Sequence, residues 1–92
     1  MVIVKAERGA DGWLCEVSVD HDGVRTRHSV TVTQADAERW AAGTEREDVE
    51  DLVTRSFEFL LERETPASIL RAFDLSVIQR YFPEYAAAFK RR

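Results

Sequence analysis

Apolar and polar residues alternate along the chain as far as Thr33, and two Asp-Gly pairs interrupt the alternation. Such alternation is typical of antiparallel strands that bury one face. Asp11-Gly12 and Asp22-Gly23 each favour a two-residue hairpin turn, because both turn positions need a positive φ. The pattern therefore predicts a three-stranded antiparallel β-meander over residues 1–33.

The two turns predict strand registers that can be compared with each other. The first turn places Ala6 opposite Val17 and also sets Glu7 opposite Glu16, an unfavourable pair of like charges. The second turn places Val17 opposite His28. Both registers put the same residues on one face, which is predicted to be buried: Val2, Val4, Ala6, Trp13, Cys15, Val17, Val19, Val24, Val30 and Val32. The opposite, solvent-facing side then carries Lys5, Glu7, Glu16, Ser18, Arg25, Arg27, Ser29 and Thr31.

Helical periodicity follows the meander. Thr33 is a favourable N-cap for a helix that stops near Gly43. The next helix, residues 47–63, spreads its apolar side chains over an arc of roughly 200°, about twice the usual apolar stripe. Those side chains are Val49, Leu52, Val53, Phe57, Phe59, Leu60 and Leu61. One sheet face cannot cover that arc, so the C-terminal segment is expected to pack on it as well.

Further helices are predicted after Arg63. Thr65-Pro66 begins a short helix that presents Ile69, Leu70 and Phe73 on one side. Asp74 caps the next helix, and after Pro83 residues 84–90 form a last turn or two. The expected fold class is α+β: a meander (1–33) followed by a helical layer (34–92) of about four helices packed on one sheet face. At 92 residues the chain fits one domain, 1–92.

Several C-terminal sequences resemble those of a protein family. They are Phe57-Glu58-Phe59-Leu60-Leu61-Glu62-Arg63-Glu64, Ser68-Ile69-Leu70, Phe73-Asp74-Leu75-Ser76-Val77-Ile78 and Tyr81-Phe82-Pro83-Glu84-Tyr85. They are similar to segments of a family of short uncharacterised proteins from actinobacteria, across roughly the C-terminal half. That resemblance implies no known activity. The N-terminal half, with its Asp-Gly-Trp sequence, is similar in topology to the small sheet domain of HicB-type antitoxins, although their glycine-rich middle is absent.

Composition indicates the cellular compartment in which we expect the protein. No apolar run approaches the roughly 18 residues that span a bilayer, and charges at Lys5, Glu7 and Arg8 interrupt the N-terminal stretch where a signal peptide is apolar. Cys15 is the only cysteine, which suits a reducing compartment. We therefore expect a cytoplasmic protein. A net charge of −4 argues against a dedicated nucleic-acid binder, because phosphate contacts need basic surface.

Candidate chemistry is sparse. Cys15 and His28 share the predicted buried face on adjacent strands, an arrangement that could activate a thiol, although core packing is the favoured interpretation. Asp20-His21-Asp22 holds three metal-ligating residue types, but consecutive strand residues point to different sides, and a turn role is favoured. No nucleotide-loop, hydrolase or metal motif occurs. We therefore expect no catalytic residues, metal, cofactor or small-molecule ligand.

The surplus of apolar surface in the helical layer is the clearest functional signal. It predicts a non-enzymatic interaction or regulatory module that binds a protein partner or a second copy of itself. The candidate interface residues are Phe59, Tyr81, Tyr85 and Phe89. The alternative is an antitoxin-like, nucleic-acid-contacting regulator that uses Arg25 and Arg27, with the tail Lys90-Arg91-Arg92 as a further basic feature. A cysteine enzyme built on Cys15 and His28 is a third, less favoured hypothesis.

Overall fold

The fold, seen in a computed structural model that describes residues 1–89, is α+β. Its elements are β1 (Val2–Gly9), β2 (Gly12–His21), β3 (Val24–Thr33), α1 (Gln34–Trp40), α2 (Arg46–Leu61), a 3-10 turn (Pro66–Ser68), β4 (Ala72–Asp74), α3 (Ser76–Tyr81) and α4 (Glu84–Phe89). The strand order is β1-β2-β3-β4. The first three strands are antiparallel, and β4 runs parallel to β3, so the predicted three-stranded sheet is wrong by one strand. Within residues 1–89, no helix has the length and apolar character that a membrane crossing requires.

The second hairpin has the predicted register. Its turn residues Asp22 and Gly23 have φ values of 52° and 78°, the left-handed conformation that a two-residue turn between twisted strands needs. His21 pairs with Val24, and Val17 pairs with His28. The prediction for this hairpin is confirmed.

The first hairpin turns one residue earlier than predicted, which shifts the pairing register by two residues. Gly9 pairs with Gly12, so the turn residues are Ala10 and Asp11, and Ala6 faces Cys15. Gly12 has a φ of 145° and lies against the backbone of β3, where a Cβ atom would collide with the Val32 carbonyl oxygen. Gly12 is therefore needed for the close approach of strands β2 and β3 rather than for the turn.

The shift of register removes an unfavourable contact without moving any residue to the other face. Lys5 now faces Glu16, and Glu7 faces Leu14, so the two glutamates are no longer paired. Because side chains alternate with a period of two, a slip of two residues leaves each one on its predicted face. This is why the predicted buried face survives an incorrect register.

Helices α1 and α2 lie on the apolar side of the sheet, which we call the covered face. The members of that face buried in the core are Ala6, Trp13, Cys15, Val17, Val19, His28, Val30 and Val32. Val2 and Val4 are partly buried against the core, whereas Val24 is exposed at the far hairpin. A Glu50 carboxylate oxygen of α2 accepts a hydrogen bond from the Ala6 N–H at 2.9 Å, which occupies part of the β1 edge.

Both helices begin at recognisable caps. The Thr33 side chain accepts the Asp36 N–H at 3.1 Å, so the predicted cap of α1 is confirmed, although that helix ends at Trp40. Glu45 and Asp48 form a capping box at the start of α2. The wide apolar arc of α2 is buried as predicted: Val49, Leu52, Val53, Phe57, Phe59 and Leu60 lie in the core, and Leu61 is partly buried against it.

The segment after Thr65 is extended, so the predicted helix through Phe73 is wrong. Only a 3-10 turn forms at Pro66–Ser68, after which the chain pairs with β3. The Ser29 N–H donates to the Arg71 carbonyl at 2.7 Å, and the Leu75 N–H donates to the Thr31 carbonyl at 2.9 Å. These bonds satisfy edge groups of β3 that would otherwise be unpaired.

The helix after β4 has the predicted aspartate at its start. An Asp74 carboxylate oxygen accepts the Ser76 N–H at 3.0 Å, and α3 runs from Ser76 to Tyr81. Phe73, on the covered face of β4, has its ring 6.0 Å from the ring of Phe57. The strand therefore delivers an aromatic side chain to the core and ends where the next helix begins.

Candidate functional site

Three of the four candidate interface residues lie inside the molecule. Phe59, Tyr85 and Phe89 are buried, with the Tyr85 ring stacked on Phe89 at 4.4 Å and edge-on to Phe59 at 5.4 Å. Within this conformation a partner could not reach them. Tyr81 is different, because 69% of its surface is exposed.

Tyr85 is also held by a buried hydrogen bond. The Ser56 hydroxyl donates to the Leu52 carbonyl at 2.7 Å, so the Tyr85 hydroxyl, 2.7 Å away, must donate to Ser56. Burial raises the pKa of Tyr85 to about 12. Ser56 was missed at the level of sequence, because a serine on an apolar helix arc gives no sign that it will be bonded in the core.

Tyr81 lies at the rim of an apolar groove between the end of α2, the segment after the 3-10 turn, and α3. The groove has a volume of about 370 Å³. We call it the apolar groove, and its lining residues are Leu60, Glu64, Ser68, Ile69, Leu70, Phe73, Val77, Ile78, Tyr81 and Phe82. Leu70 is half exposed there, at 50%. Leu70 and Tyr81, two of the six large apolar side chains that are exposed among residues 1–89, thus lie at one groove.

The groove arises from the local conformation of the segment before β4. Ile69 is extended, with φ −78° and ψ 134°, so the side chains of Ile69 and Leu70 point in opposite directions. Ile69 is buried and Leu70 faces outward. A helix would have placed both on one side, which is why helical periodicity did not identify Leu70 as an exposed residue.

Arg25 and Arg27 lie on the opposite, open face of the sheet, as predicted, and both are exposed. Arg25 forms an ion pair with Asp20, with 3.4 Å between guanidinium nitrogen and carboxylate oxygen. The structure adds Arg71, which joins them along a second groove of about 430 Å³. We call this the arginine groove, and its lining residues are Arg25, Thr26, Arg27, His28, Pro66, Ala67, Ile69 and Arg71.

His28 is buried beneath the arginine groove, and both of its ring nitrogens are bonded. Nδ1 lies 2.7 Å from the Leu70 carbonyl oxygen, and because a carbonyl can only accept, Nδ1 carries the proton. Nε2 lies 2.8 Å from the Thr26 hydroxyl, which donates to it when the ring is neutral. The imidazole therefore ties the segment before β4 to β3.

Cys15 shares the covered face with His28, as predicted, but the environment does not activate its thiol. Burial raises the pKa of Cys15 to about 12, and the charges of Glu50 and Glu16 act in the same direction. Among residues 1–89, no hydrogen bond joins Cys15 to the His28 ring, whose nitrogens are taken by Leu70 and Thr26. These contacts support a packing role for both side chains.

The Asp20-His21-Asp22 sequence lies at the hairpin between β2 and β3. Asp20 pairs with Arg25, and His21 Nε2 lies 3.5 Å from an Asp22 carboxylate oxygen. Across the described part of the chain, no three His, Cys, Asp or Glu side chains are grouped so that they could hold a metal ion. The basic tail Lys90-Arg91-Arg92 lies outside the described residues.

Comparison of the chain with protein-family models, with curated proteins and with solved structures finds no match. The two resemblances noted from the sequence therefore stay predictions. What bears on function is the geometry of the two grooves, both of which are lined in part by the segment from Pro66 to Arg71.

Proposed function

We propose that this chain is a small non-enzymatic interaction module of the cytoplasm that self-associates through the apolar groove. The observation that carries the proposal is the exposure of Leu70 and Tyr81 at the rim of a groove whose lining is mostly apolar. Exposed apolar surface gathered at one concave place is typical of protein–protein contact sites. The single cysteine, free and buried, suits a reducing compartment.

A symmetric pair uses both exposed side chains at once. In a two-fold related dimer, the Leu70 and Tyr81 side chains of each copy enter the apolar groove of the other copy. A volume of about 370 Å³ is in the range of sites that enclose a ring-sized group. Tyrosine suits the exchange, because its ring is apolar and its hydroxyl can stay in contact with water.

The test is the solution mass at several concentrations. We expect the wild-type chain to shift from monomer to dimer as concentration rises, and Leu70→Ser to weaken the dimer at least about tenfold, since it removes one buried leucine per copy. Leu14→Ser is the matched control, because Leu14 is an exposed leucine on the open face that does not line the apolar groove. Tyr81→Ala should weaken the dimer in the same way as Leu70→Ser.

Two results would contradict the dimer. One is a wild-type chain that stays monomeric at every concentration. The other is a Leu14→Ser variant that dissociates as strongly as Leu70→Ser, because that would assign the contact to the open face of the sheet. Circular dichroism of each variant separates a lost contact from a lost fold.

A regulator that contacts nucleic acid remains the alternative, and the arginine groove is what favours it. Arg25, Arg27 and Arg71 line one groove of an otherwise acidic chain. Nucleic-acid binding through them would weaken steeply as salt rises, and Arg27→Gln would reduce that dependence. Binding to a mixed pool of RNA and duplex DNA, measured at two salt concentrations, tests this alternative.

A further inference from the structure

We propose that the arginine groove binds a compact phosphate group, either free phosphate or the monoester group of a small molecule. The groove brings together Arg25 and Arg27 of β3 with Arg71, which precedes β4. It is distinct from the apolar groove, so this proposal does not depend on self-association.

The charges of the groove are only partly balanced within the protein. Arg25 is held by Asp20 at 3.4 Å. Among the described residues, neither Arg27 nor Arg71 has a carboxylate partner or a side-chain hydrogen bond. Guanidinium groups present their donors in a planar fork that matches two oxygens of a phosphate. An anion bound in the groove would therefore supply the partner that the Arg27 and Arg71 guanidinium groups lack.

The backbone of Arg71 is held beside β3 without any ligand. Its carbonyl oxygen accepts the Ser29 N–H at 2.7 Å, and the carbonyl of the preceding residue, Leu70, accepts from the buried His28 ring at 2.7 Å. Two short bonds on adjacent residues hold the backbone that carries the guanidinium. A site with a fixed backbone loses less conformational entropy on binding.

The edge of β3 adds a backbone donor to the groove. In an antiparallel pair, successive residues direct their backbone groups alternately toward and away from the partner strand. The Ser29 N–H points away from β2, to Arg71, so the Arg27 N–H two residues earlier points the same way. Strand β4 pairs only with residues Ser29 to Thr31, and the Arg27 N–H has no partner among residues 1–89.

The surroundings favour a single phosphate over a nucleic-acid strand. Single-stranded nucleic acids bind where aromatic side chains offer stacking surfaces beside the basic groups. Of the residues that the structure describes, the open face around Arg27 instead carries Ile3, Ser18 and Glu16, with no aromatic ring among them. Glu16 and Asp20 would also repel the neighbouring phosphates of a chain. One tetrahedral anion avoids both problems.

The test follows the amide NMR spectrum of the full chain during titration with glycerol phosphate and, separately, with inorganic phosphate. We expect saturable shifts at Arg27, Ser29 and Arg71. Arg27→Gln and Arg71→Gln should each weaken binding about tenfold, the effect of one lost charge-assisted hydrogen bond. Arg80→Gln, an exposed arginine of α3 outside the groove, is the matched control and should change binding less than about twofold.

Each result supports or overturns the proposal. Saturation by both probes at these residues supports a phosphate site, and the tighter of the two identifies free phosphate or a monoester as the better ligand. No saturable shift, or an equal loss in Arg80→Gln, overturns the site. A short RNA that binds while glycerol phosphate does not would overturn the single phosphate in favour of a nucleic acid. None of these outcomes depends on whether the chain dimerises.

Discussion

Histidine and tyrosine each occur both in the interior of this molecule and at its surface. The chain has two histidines and two tyrosines, and each pair is divided between the two environments. His28 and Tyr85 are buried, and their polar atoms are hydrogen-bonded. Tyr81 is exposed, and His21 is partly exposed, with 38% of its side chain accessible. Burial, rather than residue type, therefore decides what each side chain can do.

Side chains in the interior stabilise the fold, whereas side chains at the surface are available to bind other molecules. The buried Cys15 thiol stays protonated. Both ring nitrogens of His28 are hydrogen-bonded, so this side chain holds β3 and the segment before β4 together. The Trp13 indole N–H is an exception, since it is buried without a partner among residues 1–89. The surface grooves instead present Leu70, Tyr81 and unpaired arginines. We therefore propose the two grooves, and not the core, as the interaction surfaces.

The two histidines give the strongest test of this contrast. His28→Ala removes a buried ring packed 5.2 Å from Phe57 and leaves the Leu70 carbonyl and Thr26 hydroxyl without their partner. We expect a loss of about 3 kcal/mol in the free energy of unfolding. His21→Ala, at the exposed hairpin, should change it by less than about 0.5 kcal/mol. Urea unfolding measures both, and a loss for His28→Ala as small as the one expected for His21→Ala would mean that the His28 contacts contribute little to stability.

Alkaline pH provides a second test of the interior. The folded state keeps Cys15 and Tyr85 protonated to a pKa of about 12 each, against ordinary values of 9.0 and 10.0. Above pH 9 the unfolded chain therefore binds fewer protons, first at cysteine and then at tyrosine, and stability falls as pH rises toward 12. Each group removes up to about 1.4 kcal/mol per pH unit in its window.

Variants identify which group causes the alkaline loss. Cys15→Ala should reduce the decline in the free energy of unfolding that starts near pH 9. Tyr85→Phe should reduce the further decline that starts near pH 10. The slope of unfolding free energy against pH is the quantity to compare, because either substitution also lowers stability at neutral pH. An unchanged slope in both variants would show that other groups cause the loss.

The tyrosine pair should give the smallest effect. Tyr85→Phe removes one buried hydroxyl, while the Ser56 hydroxyl keeps its bond to the Leu52 carbonyl. We expect a loss of about 1 kcal/mol in unfolding free energy, the usual value of one hydrogen bond. Tyr81→Phe should change stability by less than about 0.5 kcal/mol, because the Tyr81 hydroxyl lies at the surface. A larger effect at Tyr81 would place that side chain in the interior.

Local pattern was enough for the features that depend on local geometry. The alternation of residues 1–33 and the Asp22-Gly23 turn determined the covered face and the second register, and the spacing of α2 determined its buried arc. The first register was missed because Gly12 is needed for close contact with β3, which the residues beside it do not reveal. The candidate site was predicted less well: Arg25, Arg27 and Tyr81 are exposed, but Arg71 and Leu70 were not singled out for the grooves that they line.

The sequence by itself determined the α+β class and which sheet face is buried, because turn chemistry and side-chain period act over a few residues. Only the tertiary structure decided that residues 72–74 pair with β3, since the free edge of a distant strand overrides local helical pattern. The same pairing places Leu70 and Arg71 at two different grooves. The surfaces that we propose for function thus depend on a contact between residues far apart in the chain.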